Sequence, residues 1–186
     1  MSKRALIVID VQNEYFEGAL PISDPPPERS LENIGRAMEA ATAAGVPVIV
    51  VRHTDSEADA DIFREGSHTW ELHPEIERRE RDHLVDKTLP GSFTGTPLGD
   101  ILASDGVDTV SITGYMTHMC VDTTAREAAH RGLAVEILND ATGTLTLSNS
   151  GGSATGEELH RATLVAQGQF FADVLSTDEW LGRISD

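Results

Sequence analysis

The sequence is poor in cysteine and in basic residues, and each shortage excludes a class of protein. Cys120 is the only cysteine among 186 residues, so no disulfide can form within the chain. Lysine and arginine together number 14 against 31 aspartates and glutamates, which gives a formal net charge of -17. Because nucleic acids and anionic membranes bind basic surfaces, this balance argues against both as partners. It favours neutral or cationic small molecules instead.

Long apolar runs are missing as well. The first apolar run, residues 5–11, is too short for a membrane span or for the core of a signal peptide. The hydrophobic content of 39% is nevertheless ordinary for a globular protein, although aromatic residues make up only 5% of the chain. A lone cysteine suits a reducing compartment. These features predict a cytoplasmic protein with one domain over residues 1–186.

Strand and helix patterns alternate along most of the chain. Short apolar runs typical of buried parallel strands cover residues 5–11, 46–51, 84–85, 107–112, 133–138 and 170–175. Helical spacing covers residues 28–44, 98–103, 121–131 and 157–167, and a closing turn is expected at 177–181. Segments 53–82 and 141–156 are expected to be loops, the first of them a lid or a subunit contact. The alternation predicts an α/β fold, a mostly parallel sheet with helices on both faces.

Cys120 occupies a position that suits a nucleophile. It follows the run over 107–112 and a tight turn at Gly114, and it lies in the first turn of a helix that ends at Gly132. Ligands of open α/β sheets bind beyond the carboxyl ends of the strands. Free N–H groups and the helix dipole at such a place lower the pKa of a thiol, so we expect Cys120 to ionise readily. A small residue packed in the core is the competing interpretation.

Two charged residues end other predicted strands. Asp10 lies near the end of the first apolar run, and Lys87 follows the short run at 84–85. Turn capping for the aspartate and a solvated surface charge for the lysine are the alternatives for each residue alone. Together with Cys120 they make a complete chemical set, namely a thiol, an acid that can take its proton and a cation that stabilises both anions. We therefore predict that the three side chains meet at the carboxyl edge of the sheet.

Three segments around these residues resemble the isochorismatase-like cysteine hydrolases, a family that includes nicotinamidases, N-carbamoylsarcosine amidases and ureidoacrylate amidases. They are ALIVIDVQNEYF, VDKTLPGSF and TGYMTHMCVDTTAREA. The resemblance implies a three-layer, doubly wound, six-stranded sheet and a triad of Asp10, Lys87 and Cys120. It also implies a cis peptide between Tyr115 and Met116, and an oxyanion hole made of the Met116 and Cys120 main-chain N–H groups. Symmetric association is implied too, as a homodimer or a homotetramer.

The activity that the resemblance implies is hydrolysis of a small molecule without a cofactor. Cys120 would attack the carbonyl carbon of an amide or ureido compound, and water would hydrolyse the resulting thioester. Relatives that hydrolyse the vinyl ether of isochorismate work by acid catalysis and lack the cysteine, so ether cleavage is the alternative. A non-catalytic or redox-sensing member of the fold would also keep a reactive Cys120. A nucleotide-binding module is disfavoured, because no glycine fingerprint follows the first strand.

Further residues are expected to bind the substrate. They lie in loops after the predicted strands or in segment 53–82, and they are Gln12, Phe16, His53, Phe63, Trp70, Tyr115 and His118. For Phe63 and Trp70, core packing is an equally good interpretation. Nicotinamidases carry a metal-binding Asp-x-His after the second strand, but here Val51 stands at the aspartate position although His53 matches the histidine. We therefore predict no metal site.

Overall fold

Strands and helices alternate in a computed structural model, which describes residues 2–57 and 59–185. The strands are β1 (Arg4–Ile9), β2 (Val48–His53), β3 (His83–Lys87), β4 (Thr109–Tyr115), β5 (Ala134–Gly143), β6 (Leu147–Asn149), β7 (Gly152–Ala154) and β8 (Asp173–Leu175). The α-helices are α1 (Pro27–Ala44), α2 (Pro74–Glu77), α3 (Leu98–Ser104), α4 (Asp122–His130), α5 (Gly156–Phe170) and α6 (Thr177–Ile184). Single turns of 3-10 helix cover Asn13–Tyr15 and His68–Trp70, and a π-helical turn covers Thr117–Val121.

Six of the strands form one sheet, parallel throughout, in the order β3-β2-β1-β4-β5-β8. The chain moves outward from β1 to β2 and β3, and then returns to the other side of β1 with β4. The strand order therefore reverses between β1 and β4, the place where ligands bind in open α/β sheets. The predicted α/β fold with a parallel six-stranded sheet is confirmed.

Side chains of β1 alternate between two hydrophobic cores. Leu6 and Val8 share one core with residues of α1, α2 and α6. Ile7 and Ile9 share the other core with residues of α3, α4 and α5. Both faces of the strand are therefore covered by helices, which explains why its sequence is an unbroken apolar run.

The prediction that residues 141–156 form a loop is wrong at the start of the segment and in its interior. β5 continues through Gly143, and β6 and β7 form a separate antiparallel hairpin within the segment. After a shift of register, Thr142 pairs with Gly114 and Gly143 pairs with Tyr115 of β4. The neighbouring strand thus stabilises an extended backbone where the side chains have little preference for one.

The C-terminal elements also differ from the sequence expectation. α5 continues to Phe170, so the last strand covers only Asp173–Leu175 instead of residues 170–175. The expected turn at 177–181 is part of α6, whose first turn is closed by a capping box between Ser176 and Glu179. Trp180 of α6 is fully buried and its Nε1 donates to Ser111 Oγ at 2.8 Å. Tertiary packing stabilises this short helix.

Glycine is required at position 114, where β4 passes close to β1. Gly114 has a φ of 103°, and an added Cβ would lie 2.0 Å from the Ile9 carbonyl oxygen. We expect Gly114→Ala to lower the free energy of unfolding by about 3 kcal/mol or more, as measured by urea denaturation. Gly182→Ala is the matched control, because nothing lies within 4 Å of its added Cβ. That variant should be about 0.5 to 1 kcal/mol more stable, and equal losses in both would contradict this explanation.

Candidate active site

Three polar side chains lie at the carboxyl ends of β1, β3 and β4. Asp10 directly follows β1, Lys87 is the last residue of β3, and Cys120 lies in the π-helical turn after β4. Their exposed fractions are 0%, 2% and 5% respectively. Parallel strands place their carboxyl ends at the same edge, so residues far apart in sequence are collected in one buried place.

Lys87 contacts the other two residues of this cluster. Its Nζ lies 2.7 Å from Asp10 Oδ2, an ion pair between side chains with no exposed surface. The angles between the Lys87 ammonium and the Asp10 carboxylate do not fit a hydrogen bond. The two groups are therefore held together by the attraction of their opposite charges. The same Nζ donates to Cys120 Sγ at 3.4 Å. The three side chains singled out from the sequence are therefore joined through the ammonium group.

The backbone at Asp10 has an uncommon conformation. Its φ is 52°, in the left-handed region that aspartate tolerates better than most residues. The Asp10 N–H donates to the Val51 carbonyl at 2.9 Å, and the Asp10 carbonyl accepts from the Gln12 N–H at 2.9 Å. These bonds turn the chain sharply where β1 ends. Such outliers persist at functional sites when their surroundings hold them in place.

The turn that carries Cys120 begins at a cis peptide between Tyr115 and Met116, at the position that the resemblance implied. The Met116 carbonyl accepts from the Met119 N–H at 3.0 Å and from the Val121 N–H at 3.2 Å. The second bond spans five residues and widens the turn into a π-helix. Among the described residues, the Met116 N–H itself has no acceptor. That donor is available to a ligand atom.

Burial raises the pKa of the Cys120 thiol, and the Asp10 carboxylate raises it further, while Lys87 opposes both. The expected lowering of this pKa by the helix terminus is therefore wrong, because loss of water and a nearby negative charge outweigh it. Burial would lower the pKa of Lys87, but Asp10 and Cys120 raise it by more. The cluster consists of a protonated thiol beside a carboxylate and an ammonium.

The raised pKa of Cys120 predicts slow alkylation at neutral pH. Iodoacetamide should modify the folded protein at pH 7 about tenfold more slowly than a free thiol, and the rate should still rise above pH 8.5, the usual pKa of cysteine. Mass spectrometry of the single labelled cysteine measures the rate. Protein unfolded in urea is the control and should show an ordinary thiol profile. An alkylation rate that levels off below pH 7 would show that Cys120 is already a thiolate in the folded protein.

The same shift makes stability depend on pH. Above about pH 8.5 the unfolded chain loses the Cys120 proton while the folded chain keeps it. The folded state then binds more protons than the unfolded state, so stability falls as pH rises. Relative to Cys120→Ala, the wild type should lose stability above that pH and show no pH-dependent difference below it.

His53, the last residue of β2, adjoins the cluster. Its Nδ1 lies 3.2 Å from Lys87 Nζ and accepts a hydrogen bond from the ammonium. Burial lowers the pKa of His53, and the positive charge of Lys87 lowers it further, so the imidazole is neutral. The ring of Phe63 stands edge-on to His53 with the centroids 5.0 Å apart. Both residues, predicted as substrate contacts, lie beside the cluster.

Tyr15 also adjoins the cluster and was not among the predicted site residues. Burial raises the pKa of its phenol, and Asp10 and the ionised form of Cys120 raise it further. Its ring packs against Phe63 at 5.4 Å and Tyr115 at 5.5 Å between centroids. Tyr15 follows β1 closely and lies in a turn at the same edge of the sheet. That position in the sequence could have identified it as a site residue.

His118, two residues before the cysteine, keeps one nitrogen without a partner. Its Nδ1 lies 2.6 Å from Thr144 Oγ1, while its buried Nε2 has no hydrogen-bond partner among residues 2–57 and 59–185. Burial lowers the pKa of His118, so the ring is neutral. The ring is half-buried, and the contact between His118 and the substrate stays a prediction.

Gln12 was predicted to contact the substrate, but its side chain bonds to main-chain groups instead. Its side chain is fully buried, and its Nε2 donates to the carbonyls of His53 at 2.9 Å and Trp70 at 2.7 Å. Its Oε1 accepts from the His53 N–H at 2.8 Å. The amide is therefore engaged with main-chain groups. Gln12 holds the end of β2 and the 68–70 turn in place rather than facing a substrate.

The predicted pocket aromatics separate into two groups. Trp70 donates from Nε1 to Thr54 Oγ1 at 2.8 Å, and it lines a cavity of about 610 Å³ whose walls do not include the cluster. Tyr115 is fully buried with its hydroxyl 2.8 Å from Ser30 Oγ, so it packs in the core. Phe16 is half-buried and stands edge-on to Tyr115 at 5.8 Å. Pocket roles for Trp70 and Tyr115 therefore have no support in these contacts.

Side chains that could hold a metal ion do not cluster in the described part of the chain. No group of three or more His, Cys, Asp or Glu residues has a suitable arrangement there. His53, which matches the histidine of the nicotinamidase motif, bonds instead to Lys87. Val51, at the aspartate position, is a fully buried hydrophobic residue.

Residues 4–179 match the family profile described as the isochorismatase domain. The match begins with β1 and ends in α6, so it includes the whole sheet and the Asp10, Lys87 and Cys120 positions. The chain belongs to the isochorismatase family of hydrolases.

Isochorismatase-family proteins similar to this chain carry different names. The crystal structure of Bxe_A0706 from Burkholderia xenovorans LB400 is 52% identical, covers 99% of this chain and 88% of its own, and superposes with a TM-score of 0.97. Isc1 of Verticillium dahliae, a secreted isochorismatase effector, is 41% identical over 138 residues, which are 74% of this chain and 71% of Isc1. Nicotinamidase 3 of Arabidopsis thaliana is 32% identical over 187 positions, covering 94% of this chain and 85% of the enzyme. The isochorismatase-like fold predicted from the motifs is confirmed.

Family membership does not determine where the protein works or how it assembles. None of the described helices is long and apolar enough to cross a membrane. One relative, Isc1, is named as secreted. A cytoplasmic location, a single domain over 1–186 and a homodimer or homotetramer stay predictions.

Proposed function

We propose that this isochorismatase-family hydrolase cleaves a C–N bond of a small amide or ureido compound through a thioester on Cys120. The observation that carries the proposal is the buried contact of Lys87 with both Asp10, at 2.7 Å, and Cys120, at 3.4 Å. Burying an ion pair costs free energy that a well-packed apolar core would not need, so a structural cysteine does not explain it. The similarity to Nicotinamidase 3 supports an amide substrate.

The first half of the reaction forms the thioester. Neither oxygen of the Asp10 carboxylate has an aligned hydrogen-bond donor among the described residues, so Asp10 can accept the thiol proton of Cys120. The sulfur then bonds to the carbonyl carbon of the substrate, and the carbonyl oxygen becomes an oxyanion. When the C–N bond breaks, protonated Asp10 gives its proton to the leaving nitrogen. Lys87 keeps its charge throughout and stabilises the carboxylate and the thiolate in turn.

The oxyanion is held by main-chain N–H groups. We assign this role to Met116, whose N–H has no acceptor among the described residues, together with Cys120 in the same turn. In the second half of the reaction, Asp10 takes a proton from water, the hydroxide adds to the thioester carbon, and the C–S bond breaks. The sulfur regains a proton from Asp10, which returns the cluster to its starting state.

The charges of the cluster favour an uncharged substrate. The positive charge of Lys87 is balanced by Asp10 at 2.7 Å. His53 and His118 have lowered pKa values and are neutral. A carboxylate on the substrate would meet no unbalanced cation among these groups, and the chain's net charge of -17 would repel it.

A screen for released ammonia tests both the reaction and the substrate charge. The panel contains nicotinamide, aliphatic amides, ureido acids and cyclic amides, and because ring opening of a cyclic amide releases no ammonia, that group is followed by consumption of the amide. We expect turnover of at least one neutral amide, with kcat/KM about tenfold or more above that of a carboxylate-bearing compound of similar size. Hydrolysis confined to ureido acids would contradict the charge argument. No hydrolysis of any C–N bond would contradict the proposed reaction.

Cleavage of the isochorismate vinyl ether is the second candidate. The observation that favours it is the 41% identity to Isc1, which is named as an isochorismatase effector. Protonation by an acid such as Asp10 would suffice for that reaction, and Cys120 would have no covalent part in it. Isochorismate is therefore tested beside the amide panel, with both wild type and Cys120→Ala, and release of pyruvate is measured instead of ammonia.

A further inference from the structure

A second cavity, of about 590 Å³, lies between α1, the middle of β5, α5 and β8, outside the site around Cys120. We call it the α5 cavity and define it by Arg29, Asp140, His160, Arg161, Leu164 and Val174, which are among its wall residues. Its volume lies in the range of small-molecule sites. Its wall combines apolar side chains with two guanidinium groups, and the proposed hydrolysis gives none of them a role.

Arg29 and Arg161 give the cavity wall two positive charges, against the one carboxylate of Asp140 among its lining residues. Of 12 arginines in the sequence, eight form salt bridges, and these two do not form one with any described residue. The carboxylate of Asp140, also in the wall, already accepts from Thr177 through its N–H at 2.8 Å and its Oγ1 at 2.7 Å. Glu158, one turn before Arg161, is engaged in the cap of α5. The two arginines are therefore available to an anion.

His160 connects the α5 cavity to the turn that carries Cys120. Its Nε2 lies 3.0 Å from the Asn139 carbonyl, and since a carbonyl only accepts, Nε2 carries the hydrogen. Its Nδ1 therefore accepts from Thr117 Oγ1 at 2.8 Å. Thr117 is the first residue of the π-helical turn that contains Cys120. A ligand that moves the His160 ring would therefore shift Thr117 and the π-helical turn through this hydrogen bond.

We propose that the α5 cavity binds a small organic anion, a carboxylate on a short apolar body, and that its occupancy changes the reactivity of Cys120. The carboxylate binds to the guanidinium groups of Arg29 and Arg161, which suit bidentate contacts with such a group. The apolar body packs on Leu164 and Val174. The change reaches Cys120 through the hydrogen bond between His160 and Thr117.

Benzoate is the probe for binding, and benzyl alcohol is its neutral control. Isothermal titration should show saturable binding of benzoate to the wild type and at least about tenfold weaker binding of the alcohol. Arg29→Ala/Arg161→Ala should weaken benzoate binding at least about tenfold. Arg64→Ala/Arg131→Ala removes the same two charges from exposed arginines outside the cavity and should leave the affinity unchanged. Equal binding of both probes, unchanged binding in the double variant, or no saturable binding would overturn the proposal.

Alkylation of Cys120 measures the coupling without knowledge of the substrate. Because the chain has a single cysteine, iodoacetamide reports on Cys120 alone. Saturating benzoate should change the alkylation rate of the wild type by about twofold or more, and it should leave the rate of Arg29→Ala/Arg161→Ala unchanged. An effect that persists in the double variant would mean that benzoate binds beside Cys120. That result, or no effect in the wild type, would overturn the coupling.

Discussion

Cys120→Ala is expected to reduce kcat/KM for the amide substrate by about ten-thousand-fold or more. Without sulfur no thioester can form, although Asp10 and Lys87 remain in contact. The fold should survive, because the lost side-chain atom is small and alanine suits the surrounding core. Ammonia release measures the activity, and urea denaturation measures the free energy of unfolding, which should change by about 1 kcal/mol or less.

Cys120→Ser is the matched variant for this experiment. It keeps the size and the hydrogen-bonding capacity of the side chain, but a hydroxyl is much harder to deprotonate than a thiol. We expect amide hydrolysis to be lost as completely as in Cys120→Ala. If either variant hydrolysed the amide at near wild-type rates, the covalent mechanism would be wrong. If they kept activity only on isochorismate, acid-catalysed ether cleavage would be the correct reaction.

Lys87→Met is expected to damage both activity and stability. The ammonium forms an ion pair with Asp10 in which neither side chain has any exposed surface, so its removal leaves a buried carboxylate without its counter-ion. Breaking such a pair costs about 3 to 5 kcal/mol of folding free energy. Hydrolysis should fall by about a thousandfold or more, since neither the carboxylate nor the developing thiolate would be stabilised. Urea denaturation and ammonia release measure the two effects.

The chain offers a direct control for this variant, because Lys3 is its only other lysine. Lys3 is exposed, and Lys3→Met removes the same charge from the surface. Its stability should stay within about 0.5 kcal/mol of the wild type and its activity should be unchanged. If Lys87→Met were also as stable as the wild type, the Asp10–Lys87 pair would have to be hydrated in solution.

Removing both charges separates the structural role of the pair from its catalytic role. Asp10→Asn/Lys87→Met contains no buried unpaired charge, so it should regain about 2 kcal/mol or more of the stability lost in Lys87→Met. It should regain no activity, because asparagine cannot accept the thiol proton of Cys120. Recovery of hydrolysis in the double variant would contradict the role proposed for Asp10.

The pKa of Cys120 shows where reasoning from local sequence stops. A helix terminus after a strand predicts a lowered pKa, and the terminus is there, next to the π-helical turn. The pKa is nevertheless raised, because burial and the Asp10 carboxylate act more strongly. Both causes come from residues brought in by β1 and by the packing around the turn. No pattern within the segment around Cys120 contains them.

The aromatic residues show the same limit. Tyr115 and Phe63 were expected to bind the substrate, with core packing as an equally good interpretation for Phe63, and both side chains are buried. Tyr115 forms a hydrogen bond with Ser30 of α1. Trp70 forms one with Thr54 and lines a cavity away from the cluster. Tyr15, in contrast, lies beside the cluster although it was not among the predicted site residues, even though the first of the three segments contains it. The direction of a side chain depends on the elements packed around it.

Patterns and motifs in the chain were enough to predict the parallel sheet, the family and the three residues that meet at its edge. Apolar runs that alternate with helical spacing can bury both faces of a strand in only a few ways, and parallel strands end at one edge. The protonation of Cys120, the neutral state of His53 and the hydrogen bond between His160 and Thr117 follow from contacts that only the folded chain makes. These depend on loss of water and on distances of a few ångströms between segments far apart in the chain, which local sequence patterns do not encode.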